Sequence, residues 1–243
     1  MKYDLSIIFP VYNEEKRLKN SLKKIYSFHK KNIYSDIEYL FIDDGSTDKT
    51  ENLIKKFLKK IKKKNFKYFK IKSNKGKGFA LKTGVDKAKK KWIITADIDL
   101  SVPLLQINDW FKNKVKENDK IYFYFGNRND NRSKVKKQLY RFLLGSLFNL
   151  LIRYLFKIRL NDTQCGFKLY KSLVAKRIFK KLSIFGFAHD IELISFILKK
   201  KLIIKELPVT WNHVPNSKLN ILIDPIKMFI DLLIIFIKIN KNE

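Results

Sequence analysis

Apolar and polar positions follow two different periods along the first half of the chain. Short apolar runs at Leu5–Val11, Ile37–Ile42, Phe66–Ile71, Trp92–Ala96 and Ile121–Phe125 read as buried strands. The stretches between them carry apolar residues at helical spacing. Glu14–Phe28 places Leu18, Leu22, Ile25 and Tyr26 on one face. Thr47–Lys60, capped by Ser46 or Thr47, carries the stripe Leu53, Ile54, Phe57, Leu58 and Ile61. Phe79–Lys89 predicts a third helix, and Pro103 opens a fourth at its first position, running to about Val115. Strands separated by helices of this length predict right-handed crossovers and a mostly parallel sheet flanked by helices, an α/β fold.

The pattern then changes. Residues 128–137 are polar, basic and turn-like, and 139–158 read as a long apolar helix interrupted by Arg141 and Arg153. Val174–Phe179 and Ile191–Leu198 predict further helices, Ile203–Trp211 a strand, and 221–239 a terminal amphipathic helix. No repeat or low-complexity linker divides the chain, so a single domain over 1–243 is expected.

Composition narrows the setting. The 243 residues carry 53 Lys+Arg against 23 Asp+Glu, a net charge of +30, with 45% hydrophobic residues. The hydrophobic share supports a sizeable core. The charge favours phosphorylated substrates, an anionic membrane surface or nucleic acid, but the even spread of lysine also fits a chain-wide compositional habit. No aromatic–basic RNA motif and no helix-turn-helix pattern is present, so nucleic acid is not an expected partner. Cys165 is the sole cysteine, which excludes an intrachain disulfide. The N-terminus carries no signal-peptide pattern, and no uncharged apolar stretch reaches the ~18 residues of a membrane-spanning helix.

Chemistry concentrates at strand ends. Asp97 and Asp99 follow the run Trp92–Ala96, and carboxylates at i and i+2 on the end of a strand can reach one hard divalent cation. Asp43 and Asp44 follow Ile37–Ile42 and lead into Gly45-Ser46-Thr47-Asp48. Two acid-bearing strand ends predict one site along the carboxyl edge of the sheet. Asn74-Lys75-Gly76-Lys77-Gly78 lies between a strand and a helix, where glycines let backbone N–H groups approach a phosphate. It matches neither the dinucleotide fingerprint nor the P-loop. His29, His189 and His213 show no metal-ligand spacing, no G-x-S-x-G motif occurs, and Cys165 reads as a small buried residue rather than a nucleophile.

In order, Phe9-Pro10-Val11-Tyr12-Asn13-Glu14, Asp43-Asp44-Gly45-Ser46-Thr47-Asp48, Asn74-Lys75-Gly76-Lys77-Gly78 and Ala96-Asp97-Ile98-Asp99 resemble the motifs of family 2 glycosyltransferases of the GT-A fold. Gly126-Asn127-Arg128, Asp162-Thr163-Gln164-Cys165-Gly166-Phe167-Lys168, Phe187 to Leu193, Val209-Thr210-Trp211 and Asn216-Ser217-Lys218 sharpen this toward dolichyl-phosphate β-glucosyltransferases. The chain departs from that pattern with Asn127 for serine, His189 for phenylalanine and Asn216 for glycine.

The resemblance implies inverting transfer of a hexose, glucose from UDP-glucose, to a polyprenyl phosphate on the cytoplasmic face of a membrane by a peripheral enzyme. GDP-mannose as donor, or an acceptor other than a polyprenyl phosphate, stays open. The resemblance further implies a nucleotide-sugar half at 1–127, an acceptor half at 128–220 and the terminal helix at 221–243. Pro10, Tyr12, Asn13, Glu14, Asp43, Asp44, Asn74, Gly76, Lys77 and Asp97 would bind the nucleotide sugar. Asp97 and Asp99 would carry Mg²⁺ or Mn²⁺, and Arg128, Arg141 and Lys218 the acceptor phosphate. Catalysis would fall to Asp97, Asp99, Arg128 and Asp190; for Asp190 or Glu192, orienting the acceptor or sugar and a plain helix-capping or ion-paired role both stay open.

Overall fold

The computed structural model describes residues 2–33, 35–115, 120–135, 152–214 and 224–240. β1 (Asp4–Val11), α1 (Glu15–Lys31), β2 (Asp36–Asp43), α2 (Thr50–Ile61), β3 (Phe66–Lys70), α3 (Lys77–Lys87), β4 (Trp92–Thr95) and α4 (Gln106–Asn113) form the first half. β5 (Phe123–Asn127), β6 (Lys134–Val135), β7 (Lys168–Lys171), α5 (Ser172–Phe179), α6 (His189–Lys199), β8 (Ile204–Pro208), β9 (Thr210–Trp211) and α7 (Asp224–Asn240) follow.

Seven strands form one sheet in the order β3-β2-β1-β4-β7-β5-β8. The first four are mutually parallel, as the strand–helix alternation predicted. β7 then inserts antiparallel between β4 and β5, and β8 joins β5 in parallel. Period-two alternation divides the core. Leu5, Ile7 and Phe9 of β1 face one side with Leu18, Leu22 and Ile25 of α1 and Trp110 of α4. Ile8, with Ile42 and Ile93, faces the other side with Leu81 and Val85 of α3, Ile191 and Ile194 of α6, and Leu232 and Ile235 of α7.

Several expected boundaries move. α2 begins at Thr50, not Thr47, because Thr47 N–H bonds Asn13 Oδ1 and Asp48 Oδ1 accepts the Thr50 N–H. α4 begins at Gln106; residues 103–105 instead form tight turns, with Gln106 N bonded to Pro103 O and Ile107 N to Leu104 O. The expected strand 203–211 breaks at Val209. Its last part, β9, leaves the main sheet to pair with β6, inside the stretch read as turn-like. β7 was not expected at all: lysines at both its ends hide the strand pattern. Of the apolar helix 139–158, residues 139–151 lie outside the described residues; 152–156 are helical, with Tyr154 84% exposed. Among the described residues no helix is long and apolar enough to cross a membrane.

Candidate active site

Parallel registry sets the site. Ile8 pairs with Thr95 and Val11 with Asp43, so the carboxyl ends of β1, β2 and β4 open together. They border a cleft of about 450 Å³, closed from the other side by Gly186 and Phe187 before α6 and by Trp211 and His213 after β8. Of the residues named from the sequence, Pro10, Tyr12, Glu14, Asp44, Asn74, Gly76, Lys77, Asp97, Asp99 and Arg128 line it. Asn13, Asp43 and Asp190 do not, and Arg141 and Lys218 lie outside the described residues.

Asp97 and Asp99 leave β4 on either side of buried Ile98. Lys77 Nζ, at the start of α3, lies 2.6 Å from Asp97 Oδ1. Arg17 Nη1, from α1, lies 3.3 Å from Asp99 Oδ2, and Asp99 Oδ1 accepts the Ser101 N–H at 2.9 Å. Burial raises the Asp97 carboxyl, but Lys77, with Lys168 and Arg128 further off, outweighs it and holds the group below the usual range. Gly166 makes room for this carboxylate: a Cβ there would stand 2.4 Å from Asp97 Oδ2.

The glycine-rich loop departs from expectation. Three of its amides are committed to partners within the protein. Lys75 N–H and Gly76 N–H donate to the Asp44 carboxylate at 3.0 and 2.8 Å, and Gly78 N–H donates to Phe185 O at 2.8 Å. The buried Asp44 carboxylate needs those donors, although burial still leaves it above the ordinary range. The glycines instead allow close approach: Gly76 has φ +102, and its Cβ would stand 2.3 Å from Phe185 O. Asn74, Gly76 and Lys77 of this loop line the cleft.

Asp43 is likewise committed inward, accepting from Ser46 N–H at 2.8 Å and Tyr68 O–H at 2.6 Å. Asn13, at φ 51, accepts Thr47 N–H at 2.8 Å and so ties the β1 end to the β2 end. Glu14 grips Arg17, with Nη2 donating to Oε1 at 2.7 Å.

Across the cleft, Arg128 forks onto Asp162: Nε to Oδ2 is 2.7 Å and Nη2 to Oδ1 2.9 Å, with the Arg128 N–H also on Oδ2. Its guanidinium carbon lies 5.9 Å from the Trp211 ring centre. Burial raises the Asp162 carboxyl, and Arg128 more than reverses that. Asp190, in the first turn of α6, sits behind the cleft wall with Lys168 Nζ 2.7 Å from its Oδ1. Cys165 is buried and its thiol is pushed up to about 11 by that burial, so it is no nucleophile.

Sequence reasoning missed Arg17, whose i,i+3 spacing to Glu14 reads as a surface pair, and Gly166 and Lys168, which lie in the Asp162–Lys168 segment without acquiring a role from pattern alone. His213 was set aside for lack of ligand spacing, yet it lines the cleft. Among the described residues no group of three His, Cys, Asp or Glu gathers as a metal cage. Two carboxylates on one strand end do fit a hard cation that takes its remaining ligands from substrate phosphates and water.

A sheet of this topology with acids and cations at its carboxyl edge defines a GT-A glycosyltransferase fold. Solved structures agree on the fold: glucosyl-3-phosphoglycerate synthase from Mycobacterium tuberculosis, solved with Mn²⁺, UDP and glucosyl-3-phosphoglycerate, superposes with a TM-score of 0.70 at 15% identity over 98% of this chain and 80% of that one. A mannosyltransferase from Pyrobaculum calidifontis, solved with GDP-mannose and Mn²⁺, gives 0.59 at 18% identity, covering 90% and 59%. The chain belongs to glycosyl transferase family 2, whose profile matches residues 6–179. It is 32% identical over 237 residues to the dolichyl-phosphate β-glucosyltransferase of Dictyostelium discoideum, covering 94% of this chain and 72% of that protein. The human enzyme of the same name is 30% identical over 224 residues, covering 88% and 69%. The chain is therefore a glycosyltransferase.

Proposed function

We propose that the chain transfers glucose from UDP-glucose to a polyprenyl or dolichyl phosphate at an anionic membrane surface, with inversion at the anomeric carbon. The observation that carries this reading is the meeting of Asp97, Asp99 and Lys77 in one cleft with Arg128 on its far wall, in a chain related over most of its length to dolichyl-phosphate β-glucosyltransferases.

Pro10, Tyr12 and Asn74 receive the nucleoside end, and Lys77 turns from Asp97 toward the diphosphate. Asp97 and Asp99 would hold Mg²⁺ or Mn²⁺, which would supply positive charge for the leaving diphosphate. Arg128, already fixed by Asp162, presents its remaining donors to the acceptor phosphate, with Arg141 and Lys218 assigned to the same phosphate. A phosphate oxygen forms the new bond to the anomeric carbon as the bond to the diphosphate oxygen breaks. The acceptor is an anion near neutral pH, so positioning and electrostatics suffice without a strong base.

The membrane partner is supported by α7. Phe229, Ile230, Leu233, Ile234, Phe236 and Ile237 are exposed while Leu232 and Ile235 pack inward. The exposed apolar residues cover roughly 160° of the helix at 3.6 residues per turn. Such a face, on a chain of net charge +30, suits the headgroup region of anionic lipid.

The test combines purified protein, phospholipid vesicles, a polyprenyl phosphate and Mn²⁺ or Mg²⁺ with radiolabelled UDP-glucose or GDP-mannose. Label from UDP-glucose in the extracted lipid is expected. Label from GDP-mannose alone replaces the donor, and no lipid label with intact nucleotide-sugar binding overturns the polyprenyl acceptor.

A further inference from the structure

Behind the cleft wall stands an ion pair that the transfer chemistry leaves without a task. Lys168 begins β7, paired to Thr95 of β4 and Phe125 of β5, and is 1% exposed. Its Nζ lies 2.7 Å from Asp190 Oδ1 and 5.1 Å from the Phe125 ring centre.

Such a pair is a poor stabiliser. Desolvating both ions costs about what their attraction returns, and apolar replacements of similar volume are often neutral. A lysine in the middle of a sheet thus calls for a role beyond stability.

Its surroundings indicate one. The first turns of α3 and α6 touch: Gly78 N–H bonds Phe185 O, and a Cβ on Gly78 would stand 2.7 Å from His189 Cβ. This contact brings Lys77 and Asp190, each in one of those turns, within electrostatic reach. The groups facing Asp190 are Lys168 and Tyr170 from β7, His189 from α6 and Lys77 from α3. His189 Nε2 is 3.4 Å from Asp190 Oδ1, but burial keeps that imidazole neutral, so the cations are the two lysines. Charges alternate from the sheet to the cleft: Lys168, Asp190, Lys77, Asp97.

We propose that Lys168 is a positioning residue for nucleotide-sugar binding: by occupying Asp190 it leaves the Lys77 ammonium at Asp97, facing the incoming diphosphate. Without Lys168, the buried Asp190 anion draws Lys77 back from the cleft. Without Asp190, the Lys168 cation turns to Asp97, one of two further carboxylates that feel its charge; the other, Asp162, is already held by Arg128. Removing both restores the balance.

This inference rests on the donor reading above, and the experiment separates the two. UDP affinity is measured by calorimetry with Mn²⁺ for wild type, Lys168→Met, Asp190→Asn and the double variant, each with its thermal unfolding curve. Lys168→Met is expected to weaken UDP binding at least about tenfold and Asp190→Asn at least about threefold, with the double variant binding more tightly than either. A purely structural lysine would instead give a double variant no better than Lys168→Met, and that outcome overturns the proposal. So does a Lys168→Met protein whose affinity stays within about twofold of wild type. Should Lys168→Met not fold, unchanged affinity in Asp190→Asn overturns it equally. A wild type that binds no UDP overturns the donor reading and this inference with it.

Discussion

At the end of β2, Asp43 and Asp44 are answered by backbone amides and a phenol, whereas at the end of β4 Asp97 is answered by the Lys77 side chain, and Asp99 shares its two oxygens between the Ser101 amide and the Arg17 side chain. Both ends look alike in sequence, an apolar run followed by acids. An amide is fixed by the chain, so a carboxylate bound to it becomes part of the scaffold. A lysine or arginine side chain can exchange one anion for another, so a carboxylate bound to it stays available to a cation while its partner turns to a phosphate. On the proposed function, the β2 acids shape the cleft and the β4 acids do its chemistry.

The most severe challenge to that division is removal of the β4 acids. Asp97→Ala and Asp99→Ala should each lower metal-dependent turnover by at least about 10²-fold, with the unfolding temperature close to wild type. Chelating the metal should have the same effect, reversed by added Mn²⁺. Substantial turnover in either variant removes that residue from the metal site.

Next in size is Gly166→Ala. Its Cβ would collide with Asp97 Oδ2, and an ångström of displacement at a reacting centre costs about 10²-fold. Wild-type kinetics would mean that Asp97 has freedom the present packing denies it.

On the β2 side the expected loss is in stability. Asp44→Ala leaves the Lys75 and Gly76 amides without their acceptor, at about 1–3 kcal/mol, read by denaturant unfolding. An Asp44→Ala protein of unchanged stability and lost turnover would break the comparison.

The smallest effect distinguishes the two kinds of carboxylate by pH. Asp162, paired with Arg128, has its folded value depressed. Its stabilisation is present above the unfolded carboxylate value of about 3.9 and is lost as pH falls through the folded value. Asp44 has its folded value raised, chiefly by burial. It favours folding below the unfolded value, and that contribution is lost as pH rises through the folded one. Measured in EDTA from neutral pH downward, Asp162→Asn should therefore lose stability less steeply than wild type and Asp44→Asn more steeply. Identical slopes would show that neither environment shifts its acid.

The first half of the fold was legible because each element there carries its own period: Leu5, Ile7 and Phe9 alternate on a strand, and Leu18, Leu22 and Ile25 repeat on a helix. β7 was not, because Lys168 and Lys171 bound it and Lys168 becomes tolerable in the core only when Asp190 arrives from α6. The site was legible in its residue types, with ten of the named positions on the cleft. Their division of labour was not: nothing local reveals that the Lys75 and Gly76 amides are taken by Asp44, or that Arg17 reaches Asp99.

By itself, the sequence determined the alternation of strands and helices, the mostly parallel α/β sheet, the family and the strand ends where the acids fall. Each of these depends on local periodicity or on motifs that survive along the chain. Tertiary structure alone decided which acids meet backbone amides and which meet side-chain cations, where the Lys75, Gly76 and Gly78 amides point, and which carboxylate pairs with the lysine inside the sheet. Those outcomes depend on which donor or charge reaches each carboxylate, and the partners lie 20 to 82 residues apart in the chain.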